Sequence, residues 1–175
     1  ERIAAMSDTP VTPGDFPPLT IEAFLRFCAG EWMSLRSQLL LGLASDASEE
    51  HSDGASDEAW HSSERGELVV QYVEQDGPGG LEVAPKRDGA LQPATRLVFA
   101  ADGRFHTSGG NEGGWTLWPD GSLELVLNAG GVEVREKIWF TKPNLRLRST
   151  IENRADGSPG RASFSSEIRR VSRPA

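Results

Sequence analysis

The chain has 175 residues, 37% of them hydrophobic, and 18 basic residues against 26 acidic ones give a formal charge of −8. That size suits one globular domain with a real core, and the acidic balance argues against a dedicated nucleic-acid binder, which needs a basic footprint on phosphates. A single cysteine, Cys28, excludes a disulfide framework or a cysteine-built metal cluster within this chain. No run of 18 apolar residues occurs and the N-terminus lacks a basic-then-apolar order, so a soluble, cytoplasmic protein is expected. The charge is unevenly spread. From Arg135 onward there are ten basic and four acidic residues, against eight and 22 before it. Fifteen of the 18 basic residues are Arg, whose planar fork suits carboxylates, so the basic third hints at an anionic partner.

Residues 1–18 hold four prolines and no helical or strand period, and read as a disordered lead-in to a single domain over 19–173. Thr20 is placed to cap a helix, with Leu19 and Phe24 at the positions of a hydrophobic staple. Ile21, Phe24, Leu25 and Cys28 then recur at helical spacing until Gly30 stops the run. The period next changes to two. Over 32–43, Met33, Leu35, Leu39, Leu41 and Leu43 share one face, while Trp32, Ser34, Arg36 and Gln38 share the other, as expected where that second face lines a cavity. Residues 44–59, rich in Ser, Asp and Glu, read as a flexible loop. Further strands are predicted over 67–73, 81–84, 96–99, 115–118, 123–128, 132–140, 145–151 and 162–171, with Asp-Gly turn signals at 53, 76, 88, 102, 120 and 156. Many short strands, one helix and regular turns predict an all-β fold, an antiparallel sandwich or, in preference, an up-and-down β-barrel with one N-terminal α-helix.

No P-loop, dinucleotide fingerprint, nucleophile elbow or paired-histidine helix is present. His51, His61 and His106 lack ligand spacing and read as surface residues, so no metal site is expected. Cys28 falls on the buried helix face, where a free thiol behaves as a small hydrophobe. Trp60, Trp115 and Trp118 offer ring faces, and for Trp115 and Trp118 core packing is the preferred reading.

The informative stretch is 134–169. Across a hairpin turning at 141–144, Glu136, Ile138 and Phe140 share a face of one strand, and Arg146, Arg148 and Thr150 share a face of the next. The two arginines have attachment points about 7 Å apart and point the same way. Ser163, Ser165, Glu167 and Arg169 line up along the last strand, and the alternate faces are apolar enough to receive the helix or an outer layer. A small barrel would therefore turn charge inward, which is costly unless paired or bound to a ligand. Two explanations stand side by side: ion pairs joining Arg146 and Arg148 to Glu136 and Glu167, or a lumen for a polar, anionic, conjugated ligand. An exposed, solvated face is the third.

The blocks TIEAFLRFCAGEWMSLR (20–36), IWFTKPNLRLRS (138–149) and ASFSSEIR (162–169) resemble the S-type phycobiliprotein chromophore lyases, the CpcS/CpeS family, in order and spacing. The resemblance spans residues 19–171 and is weakest in the middle. It implies a lipocalin-like barrel of about ten strands enclosing a hollow of tetrapyrrole size. It also implies a lyase that binds an open-chain bilin, of phycocyanobilin or phycoerythrobilin type, and delivers it to a cysteine of an apo-phycobiliprotein subunit. By the same resemblance Arg146 and Arg148 lie near the bilin carboxylates, Glu136 and Glu167 are candidate acids near the pyrrole nitrogens, and Arg36 guards the entrance. Ser149 or Thr150 is the small hydroxyl residue following the arginine pair. No cofactor is permanently bound, since the bilin is the transferred substrate. The partners implied are the apo-phycobiliprotein and a second copy or related lyase subunit, as a homodimer or heterodimer, in the cyanobacterial cytosol. A non-catalytic bilin carrier, or one subunit of a heteromeric lyase, is the alternative. Where the family carries a second helical segment and a Trp-containing strand, this sequence has only 77–91, which leaves part of the bilin-gripping wall to be supplied otherwise.

Overall fold

In the computed structural model Thr20 opens the helix as its position predicts: its Oγ1 accepts from Ala23 N at 3.2 Å, and α1 runs Ile21–Phe27. The structure describes residues 16–40 and 62–171. Most of the expected lead-in, the expected loop at 44–59, Leu41, Leu43, His51, Trp60, His61 and the end of the predicted domain at 172–173 lie outside the described residues. Leu19 does not staple onto Phe24; it is exposed, and Phe16 packs on Phe27 instead, with ring centroids 5.8 Å apart.

The strands are β1 (Gly30–Leu40), β2 (Ser62–Val73), β3 (Gly79–Arg87), β4 (Ala90–Leu91), β5 (Thr95–Phe99), β6 (Arg104–Thr107), β7 (Glu112–Leu117), β8 (Leu123–Ala129), β9 (Val132–Lys142), β10 (Leu145–Arg154) and β11 (Arg161–Arg169). Every pairing is antiparallel. The hydrogen-bonded order is β2-β1-β11-β10-β9-β8-β7-β6-β5-β3-β4, and a further β2–β3 pairing joins its ends. With β4 as a two-residue spur on β3, the result is a closed ten-stranded up-and-down barrel, the architecture expected from the pattern of short strands and turns. Closure removes sheet edges. It also settles the region 77–91, where the wall is continuous: β3 pairs with β2 from Gly80↔Val73 to Lys86↔Glu67 and with β5 on its other side.

Turn chemistry follows the sequence closely. Asp88 and Gly89 both adopt positive φ, 50° and 79°, which is the two-residue turn that lets β4 fold back on β3. In Asp120-Gly121-Ser122 and Asp156-Gly157-Ser158 the aspartate accepts from the serine N–H and hydroxyl.

Alternation divides the wall into an inner and an outer face. The helix closes one end, where Phe24 and Phe27 pack edge-on against Phe140 with centroids 5.3 and 4.7 Å away. Phe99, Phe105, Leu123 and Trp32 complete that buried plug. The opposite end carries the ends of β1, β3, β6, β8 and β10. The apolar alternate faces of β1, β10 and β11 receive no helix. Met33, Leu35, Ile151, Phe164 and Ile168 are exposed on the outside of the barrel, because the helix spends its apolar face on the barrel end. Trp115 packs against the core with its Nε1 donating to Ala100 O at 2.8 Å, while Trp118 is exposed rather than core. His106 is exposed on β6.

Candidate functional site

The inward faces of β1, β11, β10 and β9 form one polar stripe, because register sets their residues side by side. Ser34 lies opposite Glu167 and Glu167 opposite Arg146; Arg36 lies opposite Ser165 and Ser165 opposite Arg148; Thr150 lies opposite Glu136. Across the lumen, Val70, Leu81, Val83, Leu97, Leu123 and Leu125 make an aliphatic wall. The lumen is therefore charged on one side and apolar on the other.

Arg146 and Glu167 are each 1% exposed. Arg146 Nε donates to Glu167 Oε2 at 2.7 Å, and Nη2 donates to the same oxygen. Such a pair survives burial because charge-assisted hydrogen bonds offset the loss of water. Arg148 Nε lies 3.2 Å from Glu167 Oε1, and its Nη1 lies 3.4 Å from Glu136 Oε1. The Nε approach to Glu167 is off the hydrogen-bond direction, so this buried N–H lacks a hydrogen-bond partner among the described residues. Burial alone would lower the Arg148 pKa, but the charges of Glu136 and Glu167 outweigh it and hold the guanidinium above its ordinary value. Thr150 Oγ1 donates to Glu136 Oε2 at 3.3 Å. Arg36 Nε reaches Ser165 Oγ at 3.4 Å, and among the described residues no carboxylate lies within ion-pair distance of it. Arg36 and Arg148 thus flank Ser165 at one level of the barrel.

The structure thereby brings Arg146, Arg148, Glu136, Glu167 and Thr150 into one connected set, with Arg36 beside it. Ser149 lies apart: it is on the alternate face of β10, level with Phe164 and Lys137, so Thr150 is the hydroxyl that reaches the lumen. Cys28 is buried and lines the same cavity, and burial pushes its thiol pKa up, against the opposing pull of the Arg146 charge. The solvated-face explanation is removed by the burial of Arg146 and Glu167. The cavity is smaller than a tetrapyrrole-sized hollow: about 40 Å³ between Arg148, Glu136 and the aliphatic wall. Ligand pockets usually run to about 300–1,000 Å³. Among the described residues, no cluster of metal-ligating side chains occurs and no helix is long and apolar enough to cross a membrane.

Sequence reasoning gave no site role to Ser165, Trp32 or Arg169. Period-two spacing puts Ser165 and Arg169 on the Glu167 face and Trp32 on the Arg36 face, and that signal was legible; what they touch was not.

The model of the family described as CpeS-like protein matches residues 109–170, which span β7 through β11. Chromophore lyase CpcS/CpeS 1 of Paulinella chromatophora is 42% identical over 159 residues, 90% of this chain and 92% of its own. Chromophore lyase CpcS/CpeS 1 of Trichodesmium erythraeum is 44% identical over 59 residues, 34% of this chain and 33% of its own. Among solved structures, the S-type phycobiliprotein lyase CPES of Guillardia theta superposes with a TM-score of 0.61 at 20% identity, covering 89% of this chain and 96% of that one, a likeness of fold. Since the Paulinella lyase is 42% identical over nine-tenths of this chain and of its own, the chain belongs to the CpcS/CpeS family of S-type chromophore lyases.

Proposed function

We propose that the protein is a bilin lyase: it holds an open-chain tetrapyrrole in the barrel and delivers it to a cysteine of an apo-phycobiliprotein subunit as a thioether. The observation that carries this reading is the inward stripe of Arg36, Arg148, Glu136 and Glu167 facing an aliphatic wall. A bilin has two propionates for the guanidiniums, ring N–H groups for the carboxylates and a flat apolar face for the wall. Arg36 and Arg148, at one level either side of Ser165, take the propionates; Arg146 is spent on Glu167. Glu136 and Glu167 are the candidate acids near the pyrrole nitrogens, and Thr150 orients Glu136.

In the transfer, the acceptor thiol adds across the exocyclic ethylidene of ring A. The carbon–sulfur bond forms, the carbon–carbon double bond is consumed and the proton ends on carbon, with no net oxidation. This chain contributes orientation and proton support, and the nucleophile belongs to the acceptor. Cys28 is unsuited to that part because it is buried with its thiol pKa raised. No resident cofactor is required. Room for the pigment comes from Arg148 and Glu136, whose side chains are 18% and 21% exposed and meet at 3.4 Å: their separation opens the small cavity toward the barrel mouth. A second copy or a related subunit is the oligomeric partner in this reading.

Mixing the protein with free phycocyanobilin is expected to produce a red-shifted band that persists in high salt. Adding an apo-phycobiliprotein should then yield pigment that stays on the polypeptide in a denaturing gel and fluoresces with zinc. No spectral change at micromolar bilin rejects the proposal; binding without faster attachment than the spontaneous reaction reduces the protein to a carrier.

A further inference from the structure

Arg146 and Arg148 are equivalent in the sequence pattern, yet the structure holds only one of them from behind. The Arg146 guanidinium lies over the Trp32 ring, 4.5 Å from its centroid, and the Arg169 guanidinium lies over the same ring, also at 4.5 Å. A desolvated indole attracts a cation strongly, and Trp32 is 1% exposed. The ring is itself fixed, since Trp32 Nε1 donates to Cys28 O at 2.9 Å just past the helix end. Arg169 is fixed as well. Its Nη1 donates to Ala29 O at 2.6 Å and its Nη2 to Phe27 O at 2.5 Å and Pro143 O at 3.3 Å, so it ties the helix end to the β9–β10 turn. At the far end of this chain of contacts, both Arg146 donors fall on Glu167 Oε2, while Oε1 is turned toward Arg148.

We propose that Trp32 and Arg169 are positioning residues that act through Arg146: they pin Glu167 by one oxygen and leave the other to hold Arg148, the guanidinium that lines the cavity, so that a bound tetrapyrrole is held in a single extended conformation. This rests on the bilin reading above. Neither residue needs to touch the pigment. What they supply is a fixed direction for the one carboxylate that is wholly buried among the described residues, since a side chain held by its neighbours keeps its geometry when the ligand enters.

The test uses the full chain and free phycocyanobilin, with the ratio of the red band to the near-ultraviolet band as the readout of pigment conformation. In Trp32→Leu and in Arg169→Gln the ratio is expected to fall and retention to weaken several-fold, because the buried pair behind the cavity is no longer held in one place. Trp32→Phe, which keeps a ring, should restore most of both. A role confined to packing predicts otherwise: Phe and Leu variants would lose thermal stability together, and the folded fraction would keep the unaltered ratio. That second pattern overturns the inference. Should Trp32→Leu fail to fold, Arg169→Gln decides alone, because its side chain lies at the helix end. If the unaltered protein takes up no pigment, the bilin reading falls and this inference with it; a normal band with unmoved variants overturns this inference only.

Discussion

At the scale of single residues, two arginines two positions apart on one strand differ in what their loss does. Arg146 and Glu167 are wholly buried and bonded to each other, so Arg146→Ala strips a buried carboxylate of its two hydrogen bonds from that guanidinium and should cost about 3–5 kcal/mol in denaturant unfolding. Arg148 is mostly buried between Glu136 and Glu167 but makes ion pairs rather than well-directed hydrogen bonds, so Arg148→Ala should cost less, about 1–3 kcal/mol, while pigment retention drops at least tenfold. Equal losses of stability in the two variants would contradict this division of labour. Cys28 makes a further residue-scale prediction. Its thiol pKa is raised by burial, so the folded chain keeps a proton that the unfolded chain releases first. Stability from this group is intact below the unfolded thiol pKa and declines as pH climbs from there through the folded value. A thiol reagent at pH 8 should accordingly label the unfolded protein fast and the native protein only at the rate of opening.

At the scale of elements, period-two spacing was readable from the chain, and so was the inward turn of the mixed and charged faces. Glu136-Ile138-Phe140 and Arg146-Arg148-Thr150 do share faces as their spacing predicts. On β1, Met33 and Leu35 of the apolar face point outward and the mixed face with Trp32 points in, as expected of a face that lines a cavity. Hydrophobic counting alone would select the greasier face; the charged stripe takes the lumen side instead, and the greasy face of β1 and β11 is left outside. Ile168→Thr on the outer face should therefore change stability by less than about 0.5 kcal/mol, whereas Phe140→Ala in the plug should cost about 3–5 kcal/mol, both measured by denaturant midpoint. Strand β6 escaped prediction because four residues with a single buried apolar side chain, Phe105, carry too short an alternation. Gly113 on β7 explains how such a short strand is seated: a Cβ there would sit 2.1 Å from Val126 O and 2.8 Å from the Phe105 ring. Gly113→Ala should destabilise by about 1–3 kcal/mol, and an unchanged unfolding midpoint would contradict the close approach.

At the scale of the whole molecule, stability should be graded around the ring. The longest pairings join β2, β1, β11, β10 and β9, while β3, β5, β6 and β7 meet over shorter stretches. Hydrogen exchange should then be slowest in β1, β9, β10 and β11 and fastest in β4 and β6, because sub-global opening follows the fewest bonds. The charged stripe lies on the slow side, which suits a site that must hold its geometry. Alternation, the Thr20 cap, the Asp-Gly turns and the grouping of arginines and glutamates on common faces were all set by the order of residues, since each depends on neighbours two to four positions away. Ring closure through β2 and β3, the separate fates of Arg146 and Arg148 and the small size of the cavity were decided only in three dimensions. They depend on which strands meet across the barrel, and no local spacing encodes that.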